Sequence, residues 1–265
     1  MRTVRRMAPA ALAPLIAGGL GAPDVAAAAD AAEGWEWTLA PYLWAPKTSL
    51  DVTVNDEPVI GGDLDFSDLL DKLDFSGQVH FEGRRGKTGF FLDLTYLSTS
   101  DSGTTSPRPP LPGGTAIDSE VDTALFEAAG FYRPLGESHG LDLLLGVRII
   151  DYQQTLDIAL PSPSTVSTEV DVSKTYTDGF AGLRYVAPIT GHWSLVVRGD
   201  VGAGDTEFTW NALALAAYGF GATGRNTLLF GYRHLEIELE GSDSAADVET
   251  ELTMSGPIAG FAFRF

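Results

Sequence analysis

The last ten residues, Gly256–Phe265, constrain the fold of this chain more than any other stretch. Phe261, Phe263 and Phe265 recur at every second position, with a small or a polar residue between them. A β-strand places alternate residues on one face, so the pattern predicts a strand with an aromatic face. Such a strand suits contact with lipid, with its last aromatic residue at the membrane interface. A soluble edge strand shares the alternation, so the rest of the sequence must separate the two interpretations.

Residues 1–31 have the composition of a secretory signal peptide. Three arginines precede an apolar stretch, Met7–Ala22, and the small residues of Ala27–Ala31 offer cleavage sites. The apolar stretch contains two prolines and is shorter than the roughly 20 residues that a membrane helix needs. We therefore expect a cleaved leader and a mature chain of residues 32–265, exported by the general secretory route.

The composition limits the classes of function. The chain has 30 glycines, 14 phenylalanines, 8 tyrosines and 5 tryptophans, which suit strands and turns better than helices. Its formal net charge is −19, and losing three arginines and two aspartates with the leader leaves about −20, which argues against nucleic-acid binding. The absence of cysteine excludes a disulfide framework, thiolate chemistry and a lipid-modified cysteine.

Alternation of apolar and polar residues recurs along the mature chain and predicts about ten strands, within a range of 8–12. Phe75–Gly83 alternates strictly, and Leu141–Ile149 carries an apolar stripe opposite Asp142, Gly146 and Arg148. The connections alternate between tight turns and long loops. We therefore predict an all-β, antiparallel, up-and-down transmembrane β-barrel with short periplasmic turns and long extracellular loops. A soluble lipocalin-like barrel that binds a ligand, or a sandwich, is the alternative.

Two segments of the chain are predicted to be long loops. Residues 47–73 should be an extracellular loop that holds a hairpin, Ser49–Val54 with Pro58–Asp65, and a short helix at Ser67–Leu73. Residues 98–118 contain several prolines and a glycine pair, which predict a loop.

Five short motifs are Pro41-Tyr42-Leu43-Trp44, Phe66-Ser67-Asp68-Leu69-Leu70, Gly182-Leu183-Arg184-Tyr185, Gly231-Tyr232-Arg233-His234-Leu235, and Gly256-Pro257 before Phe263-Arg264-Phe265. Together they resemble small outer-membrane proteins of Gram-negative bacteria, of the OmpA-like and OmpW-like kind. The resemblance implies contact with outer-membrane lipid and lipopolysaccharide. It also implies that Phe261, Phe263 and Phe265 are an assembly signal for the outer-membrane assembly machinery. It implies little about activity, because a fold does not determine a function.

If the apolar stripes face lipid, a set of charged residues faces the lumen. Acids and arginines nearly match in that set, and arginine forks pair well with carboxylates, so we predict a charge-paired lumen. Side chains fill a barrel of about eight strands, and wide channels need about sixteen. The predicted ten strands lie near the closed end of this range, so we predict a structural or interaction role, or a narrow pore. The predicted lumen residues are Glu36, His80, Glu82, Arg84, Asp93, Glu127, Asp142, Arg148, Asp178, Arg184, Arg198, Asp200, Arg233 and Arg264.

We predict no enzymatic activity and no cofactor. Of the four histidines, His139 and His192 fall in short turns, and His80 and His234 fall in strands without a serine in a recognisable nucleophile motif. The sequence does not exclude a Ser–His pair formed by residues of different strands, so an outer-membrane hydrolase is the alternative function. The sequence has no phosphate-binding loop, dinucleotide fingerprint or zinc-ligand spacing.

Two groups of acidic residues fall in predicted outer loops. Asp63, Asp65, Asp68 and Asp71 form the first, and Glu238–Glu249 contains the second, which barrel closure would bring beside the first. Hard divalent cations take oxygen ligands from such clusters, although this spacing matches no calcium-loop motif. We predict solvated loops, with a weak divalent-cation site at the first group as the alternative.

Overall fold

The computed structural model describes residues 34–54, 57–64, 73–104, 114–135, 140–161, 167–221, 225–243 and 246–265. The expected leader, residues 1–31, lies outside these ranges. Within them, no helix is long and apolar enough to cross a membrane. Their regular structure consists of twelve strands: β1 Glu36–Trp44, β2 Lys47–Val54, β3 Glu57–Leu64, β4 Leu73–Arg85, β5 Thr88–Thr104, β6 Ala116–Tyr132, β7 Leu141–Ala159, β8 Ser167–Thr190, β9 Trp193–Gly204, β10 Phe208–Phe220, β11 Asn226–Asp243 and β12 Ala246–Arg264.

These strands close into an antiparallel barrel with ten positions, which confirms the predicted fold class. Each strand from β4 to β12 pairs with the next, and β1 pairs with both β4 and β12. At the seam, the Trp37 amide donates to the Phe265 carbonyl at 3.1 Å, and the Phe265 amide donates to the Trp37 carbonyl at 3.0 Å. The ring therefore has no free edge along β1, which antiparallel sheets otherwise expose.

β1 and β2 occupy one barrel position. Both pair with β12, and the register stays in step across the break at Ala45–Pro46, from Trp44 opposite Ile258 to Lys47 opposite Ser255. β3 pairs with the other side of β2, so the predicted hairpin exists as an extension of the barrel wall. Proline has no N–H for a ladder, which fits an interruption at Pro46.

Strands at the long-loop end extend further than the sequence pattern indicates. β5 reaches Thr104 and β6 begins at Ala116, so the prediction of a loop throughout residues 98–118 is wrong at both ends. Leu73, predicted as the end of a helix, begins β4, and residues 67–72 lie outside the described ranges. These extensions are polar on both faces, so apolar alternation does not reveal them, and backbone pairing with neighbouring strands holds them.

Two connections at the other end of the barrel, between β4 and β5 and between β8 and β9, are tight turns. Gly86, between β4 and β5, and Gly191, between β8 and β9, have φ angles of +57° and +54°. Positive φ is the conformation that glycine adopts without steric cost, which is why glycine stands at these turn positions. We refer to this rim as the short-turn end.

Exposure separates the two faces of β7. On β7, Leu143, Leu145 and Val147 are 44%, 71% and 44% exposed, whereas Asp142 and Arg148 are fully buried. Because successive side chains of a strand point to opposite faces, the apolar set faces outward and the charged set faces the lumen. The sequence pattern does not show which face of β10 is outward. Burial of Thr209, Asn211 and Ala217 places the odd-numbered residues of this strand on the lumen side.

The outward apolar band ends at a defined level toward the long loops. On β7 its last residue is Ile149, and the next outward residues are Asp151, Gln153 and Thr155. Gln153 and Thr175 donate hydrogen bonds to Asp151, at 2.9 and 2.7 Å, and so lower the pKa of this carboxyl. A carboxylate stabilised in its charged form belongs in contact with water, outside the apolar band.

Exposed aromatic residues border the band at both edges. Trp35 and Trp193 lie at the short-turn end, together with Phe265, and Phe208 lies toward the long loops. Aromatic girdles of this kind mark the two membrane–water interfaces of transmembrane barrels.

Candidate functional site

The centre of the lumen holds one carboxylate that is shared by three arginines. Glu127 of β6 is fully buried, and Arg148 of β7 donates to its Oε1 from Nε at 2.9 Å and from Nη2 at 2.6 Å. Arg198 of β9 and Arg233 of β11 donate to its Oε2 at 3.1 and 3.2 Å. The alternation of four strands aims these groups inward at the same level, so one carboxylate ties four strands together across the barrel.

Two further acids balance the charge of these arginines. Asp200 lies 2.5 Å from Arg148 Nη2 and 2.7 Å from Arg198 Nε. Asp93 lies 3.8 Å from Arg233 Nη1. Buried charges need opposite charges and hydrogen bonds, and this group of equal positive and negative charge provides both. We call Glu127, Arg148, Arg198, Asp200, Arg233 and Asp93 the charged layer.

A second charged group lies closer to the short-turn end. Asp142, fully buried, accepts from Arg133 Nε at 2.7 Å and Nη2 at 3.1 Å, and from Arg184 Nε at 3.0 Å. Arg184 also forms an ion pair with Glu82 of β4. Arg133, absent from the predicted lumen residues, lies one residue past the end of β6 and keeps the parity of Glu127, so continuing the alternation by one position would have included it.

The remaining predicted lumen residues have other partners or lie at the rim. Asp178 is buried but accepts from Thr206, at 3.1 Å from its N and 2.7 Å from its Oγ1, rather than from an arginine. His80 Nδ1 lies 3.0 Å from Asp93. Glu36 and Arg84 form an ion pair at the short-turn rim, where Arg264 is exposed.

Aromatic rings inside the barrel lie against the guanidinium groups. The Cζ atoms of Arg184, Arg198 and Arg233 lie 4.6, 4.9 and 4.9 Å from the ring centroids of Phe131, Phe91 and Trp44. Arg148 and Arg198 share the ring of Phe180, at 5.1 and 5.3 Å. A cation over a desolvated ring is stabilised, so these aromatics hold the guanidinium planes as well as filling space. Strand parity places this inner set on the lumen face, as the alternation of β5 already predicts for Phe91 beside Asp93.

An apolar layer covers the charged layer on the side of the long loops. Leu125, Ile150 and Leu235 are buried, and each lies two residues beyond a member of the charged layer on its own strand. The lumen therefore contains a charged layer and a water-excluding layer in series. The buried members of this apolar layer are Trp44, Leu97, Leu125, Ile150, Leu235, Ile237, Met254 and Ile258.

The open part of the lumen lies toward the short-turn end. A cavity of about 280 Å³ is lined there by polar groups that include Glu36, Arg84, Arg133 and Arg264. A smaller one of about 120 Å³ reaches the charged layer at Asp93, Arg198 and Arg233. This arrangement makes a polar vestibule that ends at the charged layer.

The described residues contain no cluster of three or more His, Asp and Glu side chains placed to hold a metal ion. The candidate cation ligands Asp65, Asp68 and Asp71 lie outside the described ranges, and nothing is described of the Asp63 side chain. The cation site therefore stays a prediction, which calorimetric titration with calcium and magnesium would test.

The closed ring, the outward apolar band with aromatic borders and the charged lumen together define a transmembrane β-barrel. No family model matches this sequence, and none of the curated proteins is similar to it in sequence. The predicted resemblance to OmpA-like and OmpW-like proteins therefore stays a prediction.

Solved structures with a similar backbone are outer-membrane proteins of low sequence identity. The outer membrane protease OmpT from Escherichia coli is 11% identical with a TM-score of 0.47, and the match covers 91% of this chain and 99% of that chain. Ail, the attachment invasion locus protein of Yersinia pestis, is 10% identical with a TM-score of 0.39, covering 87% and 99%. A major outer membrane protein from Thermus thermophilus is 11% identical with a TM-score of 0.37, covering 88% and 100%. At these values the similarity is one of fold and says nothing of activity.

Proposed function

We propose that this chain is an integral outer-membrane β-barrel whose lumen is closed, so that it serves as a structural or interaction protein. The observation that carries the proposal is the convergence of Arg148, Arg198 and Arg233 on Glu127, with the apolar layer directly above. A solute passing through would have to separate buried ion pairs in a medium of low dielectric constant, which costs several kcal/mol per exposed charge. The partners of such a barrel are outer-membrane lipid and lipopolysaccharide on its outward band.

Conductance measurements test the closed lumen. The full-length barrel, reconstituted in planar lipid bilayers in molar KCl, is expected to give no resolved current steps, while a large porin treated identically gives them. The matched variant is Glu36→Gln, which removes a charge at the rim and should leave the bilayer silent. Regular ohmic steps from the wild-type barrel would contradict a closed lumen. They would support a narrow pore, the second candidate function, which the polar vestibule of about 280 Å³ favours.

The outer-membrane location has a separate test. Support for it comes from the signal-like leader and from the exposed Phe263 and Phe265, which end the outward face of β12 at the short-turn rim. In a Gram-negative host, the protein should sediment with the outer membrane, resist extraction by alkaline carbonate and show heat-modifiable gel mobility. Recovery in the soluble periplasmic fraction would favour the lipocalin-like alternative.

A further inference from the structure

A polar cluster lies on the outward side of β10, β11 and β12, separate from the lumen. His234 Nδ1 lies 2.6 Å from Ser255 Oγ, and the two residues are register partners on neighbouring strands. The other ring nitrogen, Nε2, lies 3.4 Å from Glu236 Oε2 on the same strand. The ring of Trp210 packs on His234, with the ring centroids 4.2 Å apart. We call Ser255, His234 and Glu236 the exterior triad.

Strand parity shows that the exterior triad faces outward. His234 lies between Arg233 and Leu235, which are buried in the lumen, and Ser255 follows Met254, which belongs to the apolar layer inside the barrel. The side chains of the triad are themselves only partly buried. A molecule outside the barrel can therefore reach Ser255 without entering the lumen.

The exterior triad lies where the outward apolar band ends. On β11 the outward residues Phe230 and Tyr232 are exposed, and the next ones toward the long loops are His234 and Glu236. Trp210 borders the triad, as expected for a side chain at a membrane interface. In a bilayer this level lies between the acyl chains and the head groups, which is where the ester linkages of membrane lipids are found.

The hydrogen-bond pattern is that of an activated serine. A hydroxyl bonded to an imidazole, whose second nitrogen faces a carboxylate, is recognised by geometry and not by sequence order. A carboxylate can only accept, so the tautomer that suits this contact carries its proton on Nε2, and Nδ1 is then the acceptor for the Ser255 hydroxyl and the base. The contact of 3.4 Å is long, as catalytic hydrogen bonds often are without substrate.

We propose that the exterior triad hydrolyses acyl esters of lipids in the leaflet at the long-loop end of the barrel. Ser255 Oγ forms a bond to the ester carbonyl carbon while His234 Nδ1 takes the hydroxyl proton. The carbon–oxygen bond to the alcohol then breaks, and the proton passes to the leaving oxygen. Water attacks the acyl-serine, with the same nitrogen first taking and then returning a proton, and a fatty acid leaves. This activity requires the proposed membrane location, but it does not depend on whether the lumen conducts.

The catalytic residues are Ser255 and His234, and Glu236 is a positioning residue that holds the imidazole. Lys47 of β2 is the register partner of Ser255 on its other side and is exposed. The substrate class is an acyl ester of a membrane lipid, a chemistry that phospholipids and lipid A share.

The test begins with the nucleophile. The full-length barrel, refolded in detergent micelles and verified by heat-modifiable mobility, is treated with a fluorophosphonate probe and digested for mass spectrometry. We expect the label on Ser255, no label in Ser255→Ala, and normal labelling in Thr253→Ala, which removes another outward hydroxyl of β12. Because micelles replace the membrane, failed labelling of the folded protein contradicts the triad itself. Failed fractionation contradicts the membrane location and the lipid substrate, while labelling in micelles still reports on the reactivity of Ser255.

The second measurement is release of fatty acid from mixed micelles that contain either phosphatidylethanolamine or lipopolysaccharide. Ser255→Ala and His234→Asn should each lower the rate by at least about 100-fold, and the preferred lipid identifies the source of the ester. Release from neither lipid by folded wild-type protein between mildly acid and mildly alkaline pH would overturn the proposal, as would full activity in Ser255→Ala.

Glu236 is tested through a conservative rescue. Removing its charge in Glu236→Gln should lower the rate by about tenfold, because the imidazole loses the carboxylate that orients it. Glu236→Asp, which keeps the carboxylate, should recover part of the rate. A folded Glu236→Gln variant with an unchanged rate would exclude Glu236 from the site.

Discussion

Arg233 and His234 are consecutive residues of β11 that face opposite environments. Arg233 is buried in the lumen, where Glu127, Asn211 and the ring of Trp44 surround its guanidinium. His234 faces outward, where it has one serine and one carboxylate as partners and an open side. The difference teaches that an ionisable group with many buried partners holds strands together, whereas one with few partners on an open face is accessible to molecules outside the barrel.

The most disruptive change on the lumen side is Glu127→Ala. It leaves Arg148, Arg198 and Arg233 without their shared carboxylate, and an uncompensated buried charge costs about 3–5 kcal/mol. Denaturant unfolding in lipid vesicles, followed by heat-modifiable mobility, measures the loss. The rim variant Glu36→Ala breaks an exposed pair and should be close to wild type. Equal stability of the two variants would mean that the charged layer does not hold the barrel.

On the outer side, Leu143→Arg places a charge in the apolar band. It should destabilise the barrel by about 2–4 kcal/mol in the same vesicle assay, since arginine on the lipid face near the midplane costs that much. Gln153→Arg is the matched control, because it lies on the same outward row of β7 beyond the band. If both variants unfold at the wild-type denaturant concentration, the assignment of the two faces is wrong.

A smaller substitution tests the contribution of the lumen aromatics apart from that of the charged side chains packed on them. Phe180→Leu keeps an apolar side chain but removes the ring shared by Arg148 and Arg198, and we expect a loss of about 1–2 kcal/mol. Phe230→Leu, an outward substitution of the same chemistry, should cost less in lipid. Identical costs at the two positions would show that the ring acts only by its volume.

The smallest equilibrium effect is expected from deletion of Phe265. Its loss removes two backbone hydrogen bonds at the seam and one aromatic residue at the membrane interface. The yield of assembled barrel in cells should fall more than the stability of the barrel that does form, and comparing the two quantities is the measurement. Normal yield and mobility would contradict the interpretation of Phe261, Phe263 and Phe265 as an assembly signal.

The alternation of apolar and polar residues predicted most of the strands, because a strand with one face in lipid and the other in the lumen must alternate in this way. It placed Asp142 and Arg148 opposite Leu143 and Leu145 without further information. It could not show that Arg148 reaches Asp200, or that Asp178 bonds Thr206, because parity gives the face of a residue and not its neighbour across the barrel.

The contact between His234 and Ser255 could not be predicted from the sequence either. Their contact depends on the register of β11 with β12, which no local motif encodes. The polar strand extensions, such as the pair of Ser100 with Glu120, were not predicted for a related reason. Outside the apolar band neither face is selected for lipid, so the alternation that reveals a strand disappears.

The seam between β1 and β12 also sets the order of events in biogenesis. β12 supplies the partner of β1, from Trp44 opposite Ile258 to Thr38 opposite Arg264, so the ring cannot close before this strand has been synthesised. Until β12 is in place, β1 and the growing end both present unpaired amides and carbonyls, which invite pairing with other chains. Because the closing contact joins the two ends of the barrel sequence, unassisted refolding should be slow, on the scale of non-local β topologies.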